Sequence, residues 1–371
     1  MTFKINPVHH EDIVEHQAFC GLPFTKCILN ADGNVSTCCY QLEQLGSLID
    51  DEILDIWNSP RAQAIRESTM KGELHSICKS WNVCPFLVRE KEPVPFKAYK
   101  KFTYPTYLEI CLPDSHCNIG GLIPSDEKPA CIMCIRNHRK PKQEDLTGFL
   151  CDKARPIMPF LKHLCVLGIA EPFWKDQVFQ VFEWLEFPRY RDQIRFETNT
   201  NATLLIPKIN ERFFAEVGWS DISFSIDAAT PDTFIKIRRI DAYNNIIKNI
   251  KNYMELREEH GGKERHITTI WNNINLLNVS EMTDMVETAA DLGVDKMVML
   301  PTHDQNGNVS LGEILLNHKN VEIFERNADK AMQRAIDLNV PLTYPKPFNC
   351  VPPPVENARS PNELVQISLK S

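Results

Sequence analysis

The chain has 371 residues, 43% hydrophobic and 24% charged, with a formal net charge of −8. That length suits one large α/β domain plus a small accessory one, and the acidic balance argues against a surface that wraps nucleic acid. No stretch is long and apolar enough to span a bilayer, and the opening MTFKINPVHHEDIVEH lacks the apolar core of a secretory signal. A cytoplasmic protein with no membrane or nucleic-acid partner is expected. Its 13 cysteines, an odd number, then point to metal or cluster ligation, since cytosolic thiols stay reduced and rarely pair.

Residues 1–17 read as an N-terminal extension, and residues 18–90 as a small α+β unit holding six cysteines. This unit opens with a hairpin signal, FTKCILN and VSTCCY flanking Ala31-Asp32-Gly33-Asn34, because an Asp-Gly turn between β-prone runs favours a tight reversal. Ile53, Leu54, Ile56 and Trp57 recur at helical spacing. Ser59-Pro60 then starts a second helix, RAQAIRESTMKG, with proline at its tolerated first-turn position. The Pro- and Lys-rich stretch 91–105 reads as a linker.

From residue 106 to 345, strand and helix patterns alternate. Strands are expected at 106–112, 164–170, 193–198, 221–227, 266–272 and 295–300, with helices in DQVFQVFEWLEF, AYNNIIKNIKNYMELREE, NVSEMTDMVETAADLG and NVEIFERNADKAMQRAIDLN. Six β/α units in this order imply a parallel sheet, either an open barrel or a doubly wound sheet. Polar or special residues follow each strand: Cys117, Glu171, Thr198-Asn199, Ser225 with Asp227, Asn272-Asn273, and His303-Asp304. Barrels build their sites from such strand ends, so the clustering favours a partial (β/α)6 barrel. Residues 346–371 form a C-terminal tail.

Just past the first of these strands, Cys117, Cys131 and Cys134 make a C-x13-C-x2-C pattern. Thiolates are the ligands of iron–sulfur clusters. Three of them on a four-iron cubane leave one iron free to bind a small molecule.

With these motifs the chain resembles a radical SAM enzyme carrying an auxiliary-cluster domain of the SPASM/twitch type, here at the N-terminus. The resemblance implies that Cys117, Cys131 and Cys134 hold a [4Fe–4S] cluster whose open iron is chelated by S-adenosylmethionine. Asn118 matches the family's frequent Cys-Asn start, and Met133 its bulky position before the last cysteine. Thirteen residues stand in the first gap where the commonest family pattern has three, but loop closure cost grows slowly with length. GIAEP, 168–172, resembles the family's Gly-Gly-Glu-Pro, and its Glu171 is expected to accept the methionyl ammonium. In FSIDAATPDTFIKIRR, Ser225 and Asp227 alternate with apolar neighbours and are expected on one interior face. Ser225 is similar to a residue that binds the cofactor's carboxylate or ribose, Asp227 serves the ribose or an ordering network, and Arg238 or Arg239 pairs with the carboxylate. Thr198 and Asn199 resemble the family's Thr-Asn-Gly, with Thr200 in place of glycine. Asn272, Asn273, His303 and Asp304 fall where substrate or adenosine contacts are expected.

The resemblance also implies a second [4Fe–4S] cluster on Cys20, Cys38, Cys78 and Cys84, with Cys39 as the rival of Cys38. Four thiolates from a hairpin and a loop equally describe a structural zinc site. Cys27, Cys111, Cys151 and Cys165 read as core, Cys350 as a surface thiol, a ligand or a residue meeting the substrate radical, and His9, His10 and His16 have no metal-ligand spacing. The implied activity is reductive cleavage of S-adenosylmethionine to a 5′-deoxyadenosyl radical that takes hydrogen from a substrate. A flavodoxin or ferredoxin supplies the electron. The substrate is a peptide or protein, with a small molecule as the alternative. A non-catalytic iron–sulfur or zinc scaffold is the rival of a different class.

Overall fold

The computed structural model describes residues 13–18, 20–39, 41, 43–71, 73, 75–79, 94–99, 104–113, 116–120, 124–125, 127, 129–134, 136, 144–302, 313–316 and 320–344. Six strands form the frame: β6 (Tyr107–Leu112), β7 (His163–Gly168), β8 (Arg195–Thr200), β9 (Ser220–Ser225), β10 (His266–Ile274) and β11 (Lys296–Pro301). They lie side by side in sequence order, every adjacent pair parallel. A doubly wound sheet reverses its order at a switch point, and these six strands have no reversal. Right-handed crossovers then place all the connecting helices on one face.

Burial follows that geometry. Along β9, Ser220, Ile222 and Phe224 are buried and Asp221, Ser223 and Ser225 half-buried. Under the helices, Phe182 meets Phe196 edge-on at 4.9 Å, and Phe213 lies 5.9 Å from both Phe196 and Tyr253. The opposite face carries polar side chains at β2 and at β6 to β8. Lys26 Nζ lies 2.5 Å from Glu109, while Tyr107 donates to Glu197 at 2.8 Å with His163 Nδ1 2.6 Å away.

The cysteine-rich unit adds to the same sheet. The hairpin of β2 (Lys26–Leu29) and β3 (Asn34–Ser36) forms as expected, with Gly33 at φ 88° and Asn34 N donating to Asp32 at 3.1 Å. Strand β2 runs parallel to β6 and so becomes a seventh parallel strand, with β4 (Gly46–Ser47) beyond β3. Helices Ile53–Trp57 and Pro60–Met70 cover it, the second capped by Ser59 accepting from Ala62 N. Buried Arg66 stacks on Trp57 and donates to Pro23 O and Trp57 O at 2.8 Å. One hydrophobic core runs from Phe24 through the sheet to Val340.

The 91–105 segment is more than a linker. Val94–Tyr99 (β5) forms a six-residue antiparallel ladder with Ile13–Ala18 (β1), which in turn lies largely in the expected N-terminal extension. Helices Thr147–Ala154 and Pro207–Glu216 join those that the sequence pattern marks, and the edge strand β12 (Leu342–Thr343) lies beside β11.

Candidate functional site

The carboxyl ends of β6 to β9 converge on the three cysteines. Gly120, at φ 79°, lies against Ala130; a Cβ there would stand 2.9 Å from Ala130 N and Cα. Arg136 Nη1 donates to Ile119 O at 2.9 Å across the same base. The long first gap is thereby closed at its root, which brings Cys117 near Cys131. Cys134 follows in a turn, its N–H donating to Cys131 O at 2.8 Å.

Each sulfur has a donor. Burial and the Glu171 carboxylate push the Cys117 thiol up to about 12, against the opposing N–H of Ile119. Burial likewise raises Cys134, against the N–H of Arg136. Cys131 Sγ accepts from Arg238 Nη1 at 3.7 Å. Neutral thiols in so dry a place gain little from such donors, whereas thiolates neutralised by iron use them fully. The donor set therefore fits a thiolate-bound cluster. Among the described residues no three His, Cys, Asp or Glu side chains are grouped to hold a metal ion; a cubane takes each thiolate at a different iron, which spreads its ligands.

Glu171 sits beside Cys117 at the end of β7. Gly168 makes the approach possible: it is at φ 141°, and a Cβ would fall 2.7 Å from Leu112 O. The Glu171 carboxylate accepts from Thr200 Oγ1 at 2.6 Å, Asn201 N at 2.7 Å and Phe173 N at 3.3 Å. Burial nevertheless pushes its carboxyl up to about 7. Asn118 joins the same network, accepting from Asn201 Nδ2 at 3.0 Å and donating to Thr203 Oγ1 at 2.8 Å.

The Thr-Asn pair that hydrogen-bonds to Glu171 is Thr200-Asn201. Thr198 is buried on the helix-covered face, donating to Val166 O at 2.5 Å, and Asn199 is exposed. The sequence repeats Thr-Asn, and only the end of β8 tells the copies apart. Ser225 ends β9 half-buried on the open face, in register with Trp271. Asp227 is fully buried just beyond the strand at φ 62°, paired with Arg238 and accepting from Asn273 N at 2.6 Å. Asn272 is buried with neither amide atom partnered.

In the N-terminal unit Cys20, Cys38 and Cys78 are half-buried and Cys39 is exposed, its thiol held down at about 7 by a hydrogen bond with Cys38. Cys27 and Cys151 are core residues. Cys111 and Cys165 instead lie on the open face beside Glu109, a placement that alternation along β6 and β7 determines. Cys84, His303, Asp304 and Cys350 lie outside the described residues. No helix among the described residues is long and apolar enough to cross a membrane.

Residues 20–85 match the family model of SPASM, an iron–sulfur cluster-binding domain. That match bears out an auxiliary iron–sulfur domain in the N-terminal part of the chain. No curated protein matches. Among solved structures, Streptococcus suis SuiB bound to S-adenosylmethionine is 14% identical with a TM-score of 0.47, over 65% of this chain and 51% of that one. The chain thus spans about half the length of SuiB. Native anSMEcpe with bound AdoMet and Kp18Cys peptide is 12% identical with a TM-score of 0.46, over 64% of this chain and 63% of that one. A radical SAM methyltransferase from Sphaerobacter thermophilus is 14% identical with a TM-score of 0.43, over 68% and 70%.

Proposed function

We propose that the protein is a radical SAM enzyme: a partial (β/α)6 barrel at 106–345 with an auxiliary iron–sulfur domain at 18–90. The observation that carries this reading is the meeting of Cys117, Cys131 and Cys134, each sulfur facing a hydrogen-bond donor, with buried Glu171 at the end of the next strand. When bound, a [4Fe–4S] cluster on these thiolates supplies an electron that cleaves S-adenosylmethionine to methionine and a 5′-deoxyadenosyl radical, which takes hydrogen from the substrate.

The chain's own residues bind, orient and exclude water. Glu171 receives the methionyl ammonium; its carboxyl, already near 7, becomes fully ionised beside that cation. Ser225 offers a hydroxyl at the neighbouring strand end to the cofactor's carboxylate or ribose. Thr200 and Asn201 hold Glu171 in place, so that it does not turn to solvent. Cys20, Cys38, Cys78 and Cys84 hold the second cluster, and a flavodoxin or ferredoxin is the reductant in the cytoplasm. The substrate class is a peptide or protein, by analogy with the family that the chain resembles.

Anaerobic reconstitution with iron and sulfide, followed by dithionite and S-adenosylmethionine, tests the reading. About eight irons per chain and release of 5′-deoxyadenosine are expected. Cys117→Ala abolishes that release, and Cys78→Ala leaves part of it. Bound zinc with no cleavage would overturn the proposal in favour of a scaffold.

A further inference from the structure

Cys131 is the most buried of the three cysteines, and a helix end packs against it. Helix Pro231–Arg238 ends against the Cys131–Cys134 turn, with Ile132 N donating to Ile237 O at 2.8 Å. Arg238 Nη1 donates to Cys131 Sγ at 3.7 Å, and Nη2 pairs with Asp227. Its Nε is buried without a hydrogen-bond partner. The guanidinium is therefore committed to a sulfur and a protein carboxylate, and is not turned outward toward a cofactor's carboxylate.

The clamp is itself fixed from several sides. Asp227 holds a left-handed backbone at φ 62°, uncommon for a residue with a Cβ. Asn278 Nδ2 ties it down by donating to Asp227 O at 2.8 Å and Asn273 O at 2.9 Å. At the helix's other end, Glu281 accepts from Ala229 N at 2.8 Å and Thr230 Oγ1 at 2.9 Å. Both ends of the element that carries Arg238 are thus anchored to the β9 and β10 ends, and the positive charge has a set position beside Cys131.

We infer that Arg238 is a positioning residue that holds Cys131 and raises the reduction potential of a cluster bound by Cys117, Cys131 and Cys134. The inference rests on the cluster reading proposed above. Reduction adds one electron to the cluster, so a fixed cation and an N–H···S bond at a ligand sulfur favour the reduced state over the oxidised one. Burial keeps that charge from being screened by salt. Asp227 offsets part of the charge but holds the fork in place.

The test is an EPR-monitored redox titration of the reconstituted full-length protein, comparing wild type with Arg238→Gln and Arg238→Lys. The relevant signal is the one that changes on adding S-adenosylmethionine. Arg238→Gln is expected to move the equilibrium about tenfold toward the oxidised form, which is 59 mV for a one-electron couple, at unchanged iron content. Arg238→Lys keeps the charge without the planar fork and is expected to move it by about threefold or less. A wild-type midpoint in Arg238→Gln overturns the inference. Where Arg238→Gln takes up no iron, Arg238→Lys decides: a small shift toward the oxidised form supports it, and a midpoint at or above wild type overturns it. Failure of wild type to give any signal that responds to S-adenosylmethionine defeats the proposed function itself. A responsive signal indifferent to residue 238 defeats only this inference.

Discussion

Cys27 and Cys131 are both buried thiols, yet their surroundings give them different chemistry. Cys27 lies in the shared core, where burial pushes it up to about 12, and packs as a small apolar group. Cys131 faces Arg238 in a polar setting. Spacing alone separates the two, because the C-x2-C pattern marks Cys131; the partner that acts on it was not legible, since Arg238 is 107 residues away and reaches it only through the fold. His266 supplies the residue-scale prediction. It is buried, Nδ1 2.9 Å from Ser220 Oγ, with Phe214 edge-on at 4.9 Å, and burial together with nearby positive charge pushes its pKa down to about 4. The unfolded chain then binds the proton first, so stability is full above the usual histidine range and falls as pH drops from 6.5 toward 4. Urea unfolding is expected to lose about 2 kcal/mol between pH 7 and pH 5 through this group. His266→Gln removes most of that slope; an unchanged slope would contradict the account.

At the scale of elements, strands β6 to β11 were legible because each is a short β-prone run closed by polar residues, and in β9 and β11 burial alternates strictly along the strand. Helix Thr147–Ala154 was not, since it starts without a side-chain cap and carries Gly148 in its first turn. Strand β5 sits in a Pro- and Lys-rich run and acquires its ladder from β1, about 80 residues earlier. The turn after β8 illustrates the cost of a local misfit. Ala202 is fully buried at φ 57°, where a Cβ is disfavoured by about 1–2 kcal/mol. Glycine relieves that strain but loosens the unfolded chain, so Ala202→Gly is expected to raise stability by up to about 1 kcal/mol. Chemical denaturation at neutral pH reads this directly, and a loss of stability would contradict the strain argument.

For the whole molecule, the joining of β2 to β6 is the organising fact. It makes the cysteine-rich unit part of the same sheet and core as the β/α units, with Lys26 reaching across to Glu109 and Lys153 to Glu52 at 2.5 Å. The sequence marked that unit as separate because its cysteines and hairpin differ from the alternating strands and helices beyond residue 106, and strand order cannot be read from composition. A shared core predicts cooperative unfolding. Trp57→Ala, which removes a fully buried ring from the N-terminal unit, is expected to cost about 3–5 kcal/mol in one transition of the whole chain. Two separate transitions would place the units in independent cores.

The most direct measurement of the central claim is the EPR spectrum of the reduced, reconstituted protein before and after adding S-adenosylmethionine. One cluster signal in the wild type is expected to change on addition, and that change is expected to vanish in Cys117→Ala while the remaining cluster signal persists. A spectrum indifferent to S-adenosylmethionine, or a response that survives Cys117→Ala unaltered, would contradict the assignment of an open cluster corner to Cys117, Cys131 and Cys134.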